Sequence, residues 1–461
     1  MLMIIGDIFR TLKKIRGLTF LIVLVVFSTI SVIGTPMEAQ TVADKESNYK
    51  VLFERSMWSY DECATLAVTF SPQENSLYVL VMRLLTRITK EEILKPGYYL
   101  YALDFYGNIL WKNKISENYS VGTPRVLLVS EDNTKILVGG HEGVLLADKR
   151  GKILWMYKFE SKTPKSYHIQ VKASSDLKRI VVQPLYTVAL APITQGDFLN
   201  GTEIWLLNEE GKILWKRTLP EDIMRFDVDQ QGEIIAIRTR ASLYIINATG
   251  SVLWSIHGLN SSSLVPTISY ALCISKDGKY IAFSNGTSVY VFSLNKKQIL
   301  NVDLNDTILS CWIIGSAEKL LIYTKSSIVL VNRDGKELLR IPIHYVPVWS
   351  WVLVSMDKNA NYMVISIQSK NENTEKPYNN IYFINSSGNI FWNINRSDIV
   401  LGITLSEDGS KLAFISRNKV VLIDTGVPKE TITIKNLALI TTLVVISSLP
   451  IIFIIARRKP R

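Results

Sequence analysis

The chain has 461 residues, of which 20% are charged and 10% aromatic, and its formal net charge is +11. Three cysteines (Cys63, Cys273 and Cys311) are too few for a disulfide-based scaffold, and the four histidines show no metal-ligand spacing. Lysine and arginine are spread along the chain without a basic run interleaved with aromatic residues, so we predict no nucleic-acid partner.

The N-terminal 40 residues combine a basic stretch with an apolar segment. Gly17–Ile33 is an uninterrupted apolar run, near the lower limit for crossing a bilayer. A basic flank, an apolar run and a polar exit are typical both of a cleaved signal peptide and of a retained anchor helix. The sequence leaves these two alternatives open.

The central part of the chain is built on a repeated unit, seen most clearly in Tyr99–Ile115. A strand with alternating apolar residues is followed by Asp104 and Gly107, which favour a tight turn, and then by a second strand that contains Trp111. The turn pattern, Asn or Asp followed by Gly three residues later, recurs at Asp148, Asn208, Asn247, Asn332 and Asn385. Such periodic self-similarity indicates a repeat architecture. The recurring tryptophans are assigned to packing of the repeats rather than to a ligand: Trp111, Trp155, Trp215, Trp254 and Trp392.

Eight copies of an opening pair of strands precede these units between residues 66 and 414. The closing half of the fifth copy, Val289–Leu304, is degenerate, with Asn295 to Gln298 at the expected turn. The eighth copy stops after three strands, and Lys50–Ser56 resembles the missing fourth strand. An N-terminal strand in that place would close a ring and remove its open edge. We therefore predict an all-β, eight-bladed β-propeller of four-stranded blades over residues 47–426, with seven blades as the alternative.

Cys273 and Cys311 fall near the same strand of consecutive repeats. We expect two buried free thiols, with a disulfide between them as the alternative.

The repeat resembles two known propeller families. Leu100–Trp111 is similar to the PQQ-type, or quinoprotein-like, repeat, and opening halves such as Ser275–Phe283 are similar to WD40 repeats. This resemblance implies the fold, and the families include dehydrogenases, assembly scaffolds and sensors. Such dehydrogenases hold a calcium-bound quinone with acidic residues and often with adjacent cysteines. Neither pattern occurs here, so we predict no cofactor, no metal site and no catalytic residue.

Long insertions suggest a binding face. The three longest, about 82–97, 185–202 and 368–380, all fall between the second and third strands of a blade, on the same face as the links between blades. The link after the sixth blade adds His344, Tyr345, Trp349 and Trp351, residue types common in interfaces, although the tryptophans could instead pack on the next blade. We predict a non-catalytic binding or scaffold module for a protein or glycan partner. The alternatives are a quinoprotein-like dehydrogenase and a structural glycoprotein of the cell envelope.

Glycosylation is suggested by eight N-x-Ser/Thr sequons. Two of them, Asn247 and Asn385, also fit the turn chemistry of the repeat. The candidate sites are Asn118, Asn200, Asn247, Asn260, Asn285, Asn305, Asn385 and Asn395.

The C-terminal part of the chain predicts a membrane anchor. After a linker at 427–436, residues 437–456 are long and apolar enough for a transmembrane helix, and the basic tail 457–461 follows. Both apolar segments carry their basic cluster on the terminal side, so the positive-inside rule predicts cytoplasmic tails and an extracytoplasmic propeller. The N-terminal tail is cytoplasmic only if residues 1–40 are retained.

Overall fold

A computed structural model describes residues 49–427, except 58–62, 73–74, 84–86, 89–92, 95, 117–125, 141–142, 160–166, 188–197, 200, 260–269, 344–350 and 371–376. The predicted N-terminal segment, the predicted transmembrane helix and the C-terminal tail lie outside these residues. Within the described part of the chain, no helix is both long and apolar enough to cross a membrane.

The described strands form eight antiparallel blades, which confirms the eight-bladed propeller and rules out the alternative of seven. After β1 (Lys50–Ser56), blade 1 contains β2 (Cys63–Phe70), β3 (Ser76–Arg83), a small hairpin of β4 (Arg87–Ile88) and β5 (Ile93–Leu94), β6 (Gly97–Asp104) and β7 (Ile109–Ser116). Blade 2 contains β8 (Val126–Val129), β9 (Lys135–Gly140), β10 (Gly143–Asp148) and β11 (Ile153–Lys158). Blade 3 contains β12 (Tyr167–Ala173), β13 (Arg179–Thr187), the short β14 (Phe198–Leu199), β15 (Glu203–Asn208) and β16 (Ile213–Thr218).

The remaining blades follow the same order from the axis outward. Blade 4 contains β17 (Ile223–Val228), β18 (Ile234–Thr239), β19 (Ser242–Asn247) and β20 (Val252–His257). Blade 5 contains β21 (Leu272–Ile274), β22 (Tyr280–Asn285), β23 (Ser288–Ser293) and β24 (Gln298–Asp303). Blade 6 contains β25 (Ile308–Ile314), β26 (Lys319–Thr324), β27 (Ser327–Asn332) and β28 (Glu337–Pro342). Blade 7 contains β29 (Trp351–Met356), β30 (Tyr362–Lys370), β31 (Pro377–Asn385) and β32 (Ile390–Arg396), and blade 8 contains β33 (Val400–Leu405), β34 (Lys411–Ser416) and β35 (Lys419–Asp424).

The N-terminal strand completes blade 8, as the sequence predicts. Strand β1 pairs antiparallel with β35, from Lys50 opposite Asp424 to Ser56 opposite Lys419. An ion pair of 2.7 Å between Glu54 and Lys419 reinforces the ladder. Because this pairing gives blade 8 its fourth strand, the two ends of the repeat region meet in one sheet.

The Asn/Asp-x-x-Gly turns have the predicted chemistry. Asp104 Oδ1 accepts the backbone N–H groups of Tyr106 at 2.9 Å and Asn108 at 2.7 Å. Gly107 has φ +85°, a conformation that glycine adopts without steric cost. The same two side-chain hydrogen bonds recur at Asp148, Asn208, Asn247, Asn332 and Asn385.

The predicted turn of the fifth copy is wrong by two residues. The turn begins at Ser293, whose carbonyl accepts the N–H of Lys296, rather than at Asn295. Lys296 has φ +62° and occupies the place that glycine holds in the other blades. A lysine in that conformation gives no sequence signal, whereas the polar Asn295 nearby resembles the residue that opens the other turns.

The hydrophobic core lies between neighbouring blades. Apolar side chains from facing sheets interdigitate, as in the cluster that joins blades 5 and 6. Cys273 and Cys311 belong to this cluster, on the innermost strands of these blades, with their Sγ atoms 3.4 Å apart. Both are buried free thiols, as expected.

Candidate functional site

The connections between strands divide the propeller into two faces. The turns between first and second strands and the Asn/Asp-x-x-Gly turns lie at one end of the blades, which we call the turn face. The loops between second and third strands and the links between blades lie at the other end, the loop face. All three long insertions therefore open on the loop face.

The insertions are partly strand rather than wholly loop. In blade 7, β30 and β31 continue pairing to Lys370 opposite Pro377, so the connection spans only residues 371–376 and not 368–380. In blade 3, β13 runs to Thr187 and pairs with the short strand β14. In these two blades, strand pairing therefore continues beyond the end of the blade. Hydrophobic periodicity did not predict these strand extensions, because their sequences are polar or contain proline.

The predicted interface residues are largely outside the described part of the chain. His344, Tyr345 and Trp349 lie in the undescribed link 344–350, and Trp351 begins β29, where its backbone alone is described. Their role as a binding face therefore stays a prediction.

The sequons are distributed over both faces. Asn118, Asn200 and Asn260 lie outside the described residues. Asn305 and Asn395 are exposed towards the loop face, where Asn285 is half-buried. The half-buried Asn247 and Asn385 lie in turns on the turn face, and each uses its Oδ1 atom to hold the turn.

The repeated tryptophans join each blade to the next. Trp155 Nε1 donates to the carbonyl of Glu209 at 2.7 Å, and Trp215 Nε1 donates to that of Ala248 at 2.8 Å. Trp254 and Trp392 make the equivalent bonds to Leu294 and Thr425. Trp111 lies against Gly151 of blade 2, so close that a Cβ there would be 2.7 Å from the ring. Each of these indole groups therefore contacts the next blade, which is a structural role.

A cavity of about 370 Å³ opens at the axis on the turn face. Apart from Asp229, its polar lining comes from one position of the repeat, the residue that follows the Ser or Asp at the start of the first turn of a blade. Sequence reasoning missed this site, although the signal, a variable residue after a recurring Ser or Asp, is present in six blades and lies inside a Ser-x-Asp pattern in four of them. These residues are Glu131, Ser175, Gln230, Lys276, Lys358 and Glu407.

Backbone hydrogen bonds tie these positions into an arc around the axis. The N–H of Glu131 donates to the carbonyl of Ser175 at 2.9 Å, and the N–H of Ser175 donates to that of Gln230 at 2.8 Å. The bonds from Gln230 to Lys276 (3.0 Å) and from Lys358 to Glu407 (3.0 Å) repeat the geometry. The turns on this face are therefore fixed to one another.

Blade 6 interrupts the arc, because Gly315 has φ +62° and its turn has a different shape. Lys276 spans the interruption, with Nζ donating to the carbonyl of Lys358 at 2.8 Å. The Lys276 side chain is exposed to the cavity, but it has lost part of its hydration. This loss lowers the pKa of Lys276. Nearby, burial raises the pKa of Asp229 and of Asp357.

Charged side chains cross the mouth of the cavity. Lys358 Nζ lies 3.7 Å from Glu131 Oε1 and 3.5 Å from Glu407 Oε2, and Gln230 Nε2 donates to Glu131 at 2.9 Å. The ammonium of Lys358 thus stands between the two carboxylates, where a bound cation would have to be. The residues at this end of the axis do not fit a calcium-bound quinone. Within the described residues, no three His, Cys, Asp or Glu side chains converge on a common metal position.

One polar cluster on blade 4 has the residue types of a nucleophilic triad. Ser242 Oγ lies 3.0 Å from His257 Nδ1 and 2.9 Å from Glu221 Oε1. In a working triad the carboxylate orients the imidazole, whereas here Glu221 accepts hydrogen bonds from Ser242 and Thr239, and His257 Nε2 contacts Ser255. The cluster therefore has the connectivity of a structural network.

Comparison with known proteins assigns the family. A family model described as outer membrane protein assembly factor BamB matches residues 98–341, which are more than half of the 461 residues. The chain belongs to this BamB family of PQQ-type propellers. A comparison with curated protein sequences finds no match.

Solved structures similar to this BamB-family chain include two WD40 domains. The C-terminal WD40 domain of Sif2 is 12% identical with a TM-score of 0.54, over 82% of this chain and 98% of that chain. A chain of the mitotic checkpoint complex (14% identity, 67% and 90% covered, TM-score 0.46) and the Neurospora crassa Pan2 WD40 domain (11%, 83% and 97%, 0.45) are also similar. The last two scores are below 0.5 and add nothing to the assignment. The similarity to Sif2 supports the propeller fold and nothing finer.

Proposed function

We propose that this chain is a non-catalytic binding module, anchored in the cell membrane with its propeller on the extracytoplasmic side, and that a protein or glycan partner binds on the loop face. The observation that carries the proposal is the concentration of long hairpins on that face. Blades 1, 3 and 7 extend there through 82–97, 185–202 and 368–380, whereas the turn face is held by short hydrogen-bonded turns.

Membership of the BamB family and the propeller fold support a scaffold or binding role. A rigid ring that carries irregular loops on one face is a common design for recognition, because the scaffold fixes the loops in place.

The non-catalytic part of the proposal is supported by the turn-face axis. The ammonium of Lys358 lies 3.7 Å from Glu131 and 3.5 Å from Glu407, in the place between the two carboxylates that a metal ion would need. Membrane anchoring is supported by the length and hydropathy of residues 437–456 and by the basic tail after them.

The test compares the two ends of one blade. A photoreactive amino acid is placed at Tyr378, on the loop-face hairpin of blade 7, or at Ser387, in an exposed turn on its turn face. After irradiation of the full chain in its native membrane, we expect adducts from position 378 and none from 387. Replacing residues 371–376 by a two-residue turn should abolish them. Sensitivity of the adduct to a protease or to a glycosidase separates the two partner classes.

Two results would contradict the proposal. Adducts formed at 387 alone, or equally at both positions, would remove the loop face as the binding surface. Quinone- and calcium-dependent turnover of alcohols or sugars by the purified protein would show an enzyme instead.

A further inference from the structure

Both ends of the propeller leave the ring on the same face. Strand β35 runs from the loop face to the turn face and ends at Asp424, and β1 begins opposite it at Lys50. Only nine residues, 428–436, separate the described chain from the predicted membrane helix at 437–456. Nine extended residues span at most about 30 Å. If the proposed membrane anchoring holds, blade 8 is therefore tethered close to the bilayer by its turn-face end.

The outer strands expose apolar side chains at this same end of the blades. In five blades the residue before the conserved Trp lies three positions after the turn glycine, and its exposure is between 45% and 56%. We call this set the apolar band: Leu110, Leu154, Leu214, Leu253 and Phe391. On the closing strand, Val51 is 47% exposed and lies close to the same end.

Three of these exposed side chains flank the tether. Phe391 belongs to blade 7, Val51 to blade 8 and Leu110 to blade 1, so they form a continuous sector around the point where the chain leaves the ring. Tyr106, in the turn just before Leu110, is 85% exposed. Apolar and aromatic side chains at one end of a tethered domain are suited to the interfacial region of a bilayer.

We propose that the propeller stands with its turn face towards the membrane, and that the sector formed by Phe391, Val51 and Leu110 contacts the lipid interface. This inference rests on the membrane anchoring in the proposed function. It leaves the loop face directed away from the bilayer, where a large extracytoplasmic partner has free access.

The apolar band supplies its own control, because Leu253 of blade 4 has the same place in the repeat on the opposite side of the ring. Single cysteines at Leu110, Leu253 or Arg417 are introduced into a Cys63→Ser background and labelled with a fluorophore. Arg417 lies in the exposed loop-face turn of blade 8. The full chain is reconstituted into phosphatidylcholine and phosphatidylglycerol vesicles that contain nitroxide-headgroup lipid, and quenching is measured.

We expect quenching at Leu110→Cys to be at least threefold greater than at Arg417→Cys, and greater than at Leu253→Cys. Quenching at Arg417→Cys equal to or above that at Leu110→Cys would overturn the orientation. Equal quenching at Leu110→Cys and Leu253→Cys would overturn the contact by the blade 7–8–1 sector. Extraction of the unlabelled protein from native membranes by alkaline carbonate is a separate readout: release into the supernatant would contradict the anchoring, and with it the proposed function.

Discussion

The ring of Phe53 lies against the backbone of Gly107, where a Cβ atom would be 3.1 Å from the phenyl ring. Phe53 is on the N-terminal strand and Gly107 is in the turn of blade 1. The same contact joins Trp155 to Gly211 in consecutive blades. Arg55 Nη1 also donates to the carbonyl of Gly107, as Arg217 Nη1 does to that of Gly250. The closing strand therefore reproduces the side-chain contacts of an ordinary fourth strand.

Replacing Phe53 by Ala should weaken the closure of the ring. Truncation of a fully buried Phe costs about 3–5 kcal/mol, and because Phe53 is half-buried we expect a loss of about 2 kcal/mol in the free energy of unfolding. Val51→Ala, on the same strand but 47% exposed, should change it by less than about 0.5 kcal/mol. Urea unfolding of both variants checks this, and equal effects would contradict the assigned contact.

Two glycines with similar positive φ angles, Gly211 in the turn of blade 3 and Gly258 after β20, allow the inter-blade contact to be separated from backbone strain. Gly211 and Gly258 have φ +76° and +73°, but a Cβ on Gly211 would be 2.7 Å from Trp155, whereas one on Gly258 meets nothing within 4 Å. We expect Gly258→Ala to cost about 1 kcal/mol from strain and Gly211→Ala at least about 1 kcal/mol more from overpacking.

A second substitution tests the origin of that difference. Adding Trp155→Leu to Gly211→Ala should recover part of the extra cost, measured as a coupling energy in a double-mutant cycle. If the effects of the two substitutions on the free energy of unfolding are strictly additive, the indole does not contact the new methyl group.

Local turn chemistry explains why so much of the fold could be predicted. Asp104 and Gly107 specify their turn within four residues, so the repeat, the number of blades and the closing strand could all be read from spacing. The turn of blade 5 could not, because Lys296 adopts the left-handed conformation under the constraint of the surrounding sheet. The site at the axis was also missed, because Glu131 and Lys358 are 227 positions apart and only the closed ring brings them together.

Two aspartates should influence stability with opposite dependence on pH. A hydrogen bond from Ser130 lowers the pKa of Asp132, so its stabilising effect is present above the unfolded pKa and is lost as pH falls through the folded value. Burial raises the pKa of Asp357, so the folded state binds the extra proton, and stability is lost as pH rises from the unfolded value through the raised one.

Asparagine at each position removes the titration and keeps an acceptor. The pKa of an unfolded aspartate is about 3.9. Between pH 2.5 and pH 6, Asp132→Asn should therefore flatten the gain in stability with rising pH, and Asp357→Asn should make that gain steeper. Unfolding free energies at half-unit pH steps check the signs. Slopes that change in the same direction for both variants would contradict the assignment.

The paired thiols of blades 5 and 6 should be unreactive in the folded protein. Cys273 and Cys311 are 5% and 2% exposed, so a reagent in solution does not reach either sulfur. Burial also raises the pKa of Cys273, so little reactive thiolate forms at that residue. In a Cys63→Ser background we expect iodoacetamide to modify neither residue in the native state and both after denaturation without reductant. Native labelling would contradict their burial, and two thiols that stay unlabelled after denaturation would indicate a disulfide.

The measurement that tests the closed ring most directly is a two-by-two disulfide experiment on β1 and β35. In the Cys63→Ser background, cysteines are placed at Lys50 or Ser56 and at Lys419 or Asp424. The in-register pairs, 50 with 424 and 56 with 419, should cross-link rapidly under mild oxidation, because facing residues bring their Cβ atoms within about 5.5 Å. The crossed pairs, 50 with 419 and 56 with 424, should not cross-link. Cross-linking of the crossed pairs, or of none, would show that the N-terminal strand does not close the propeller in this register.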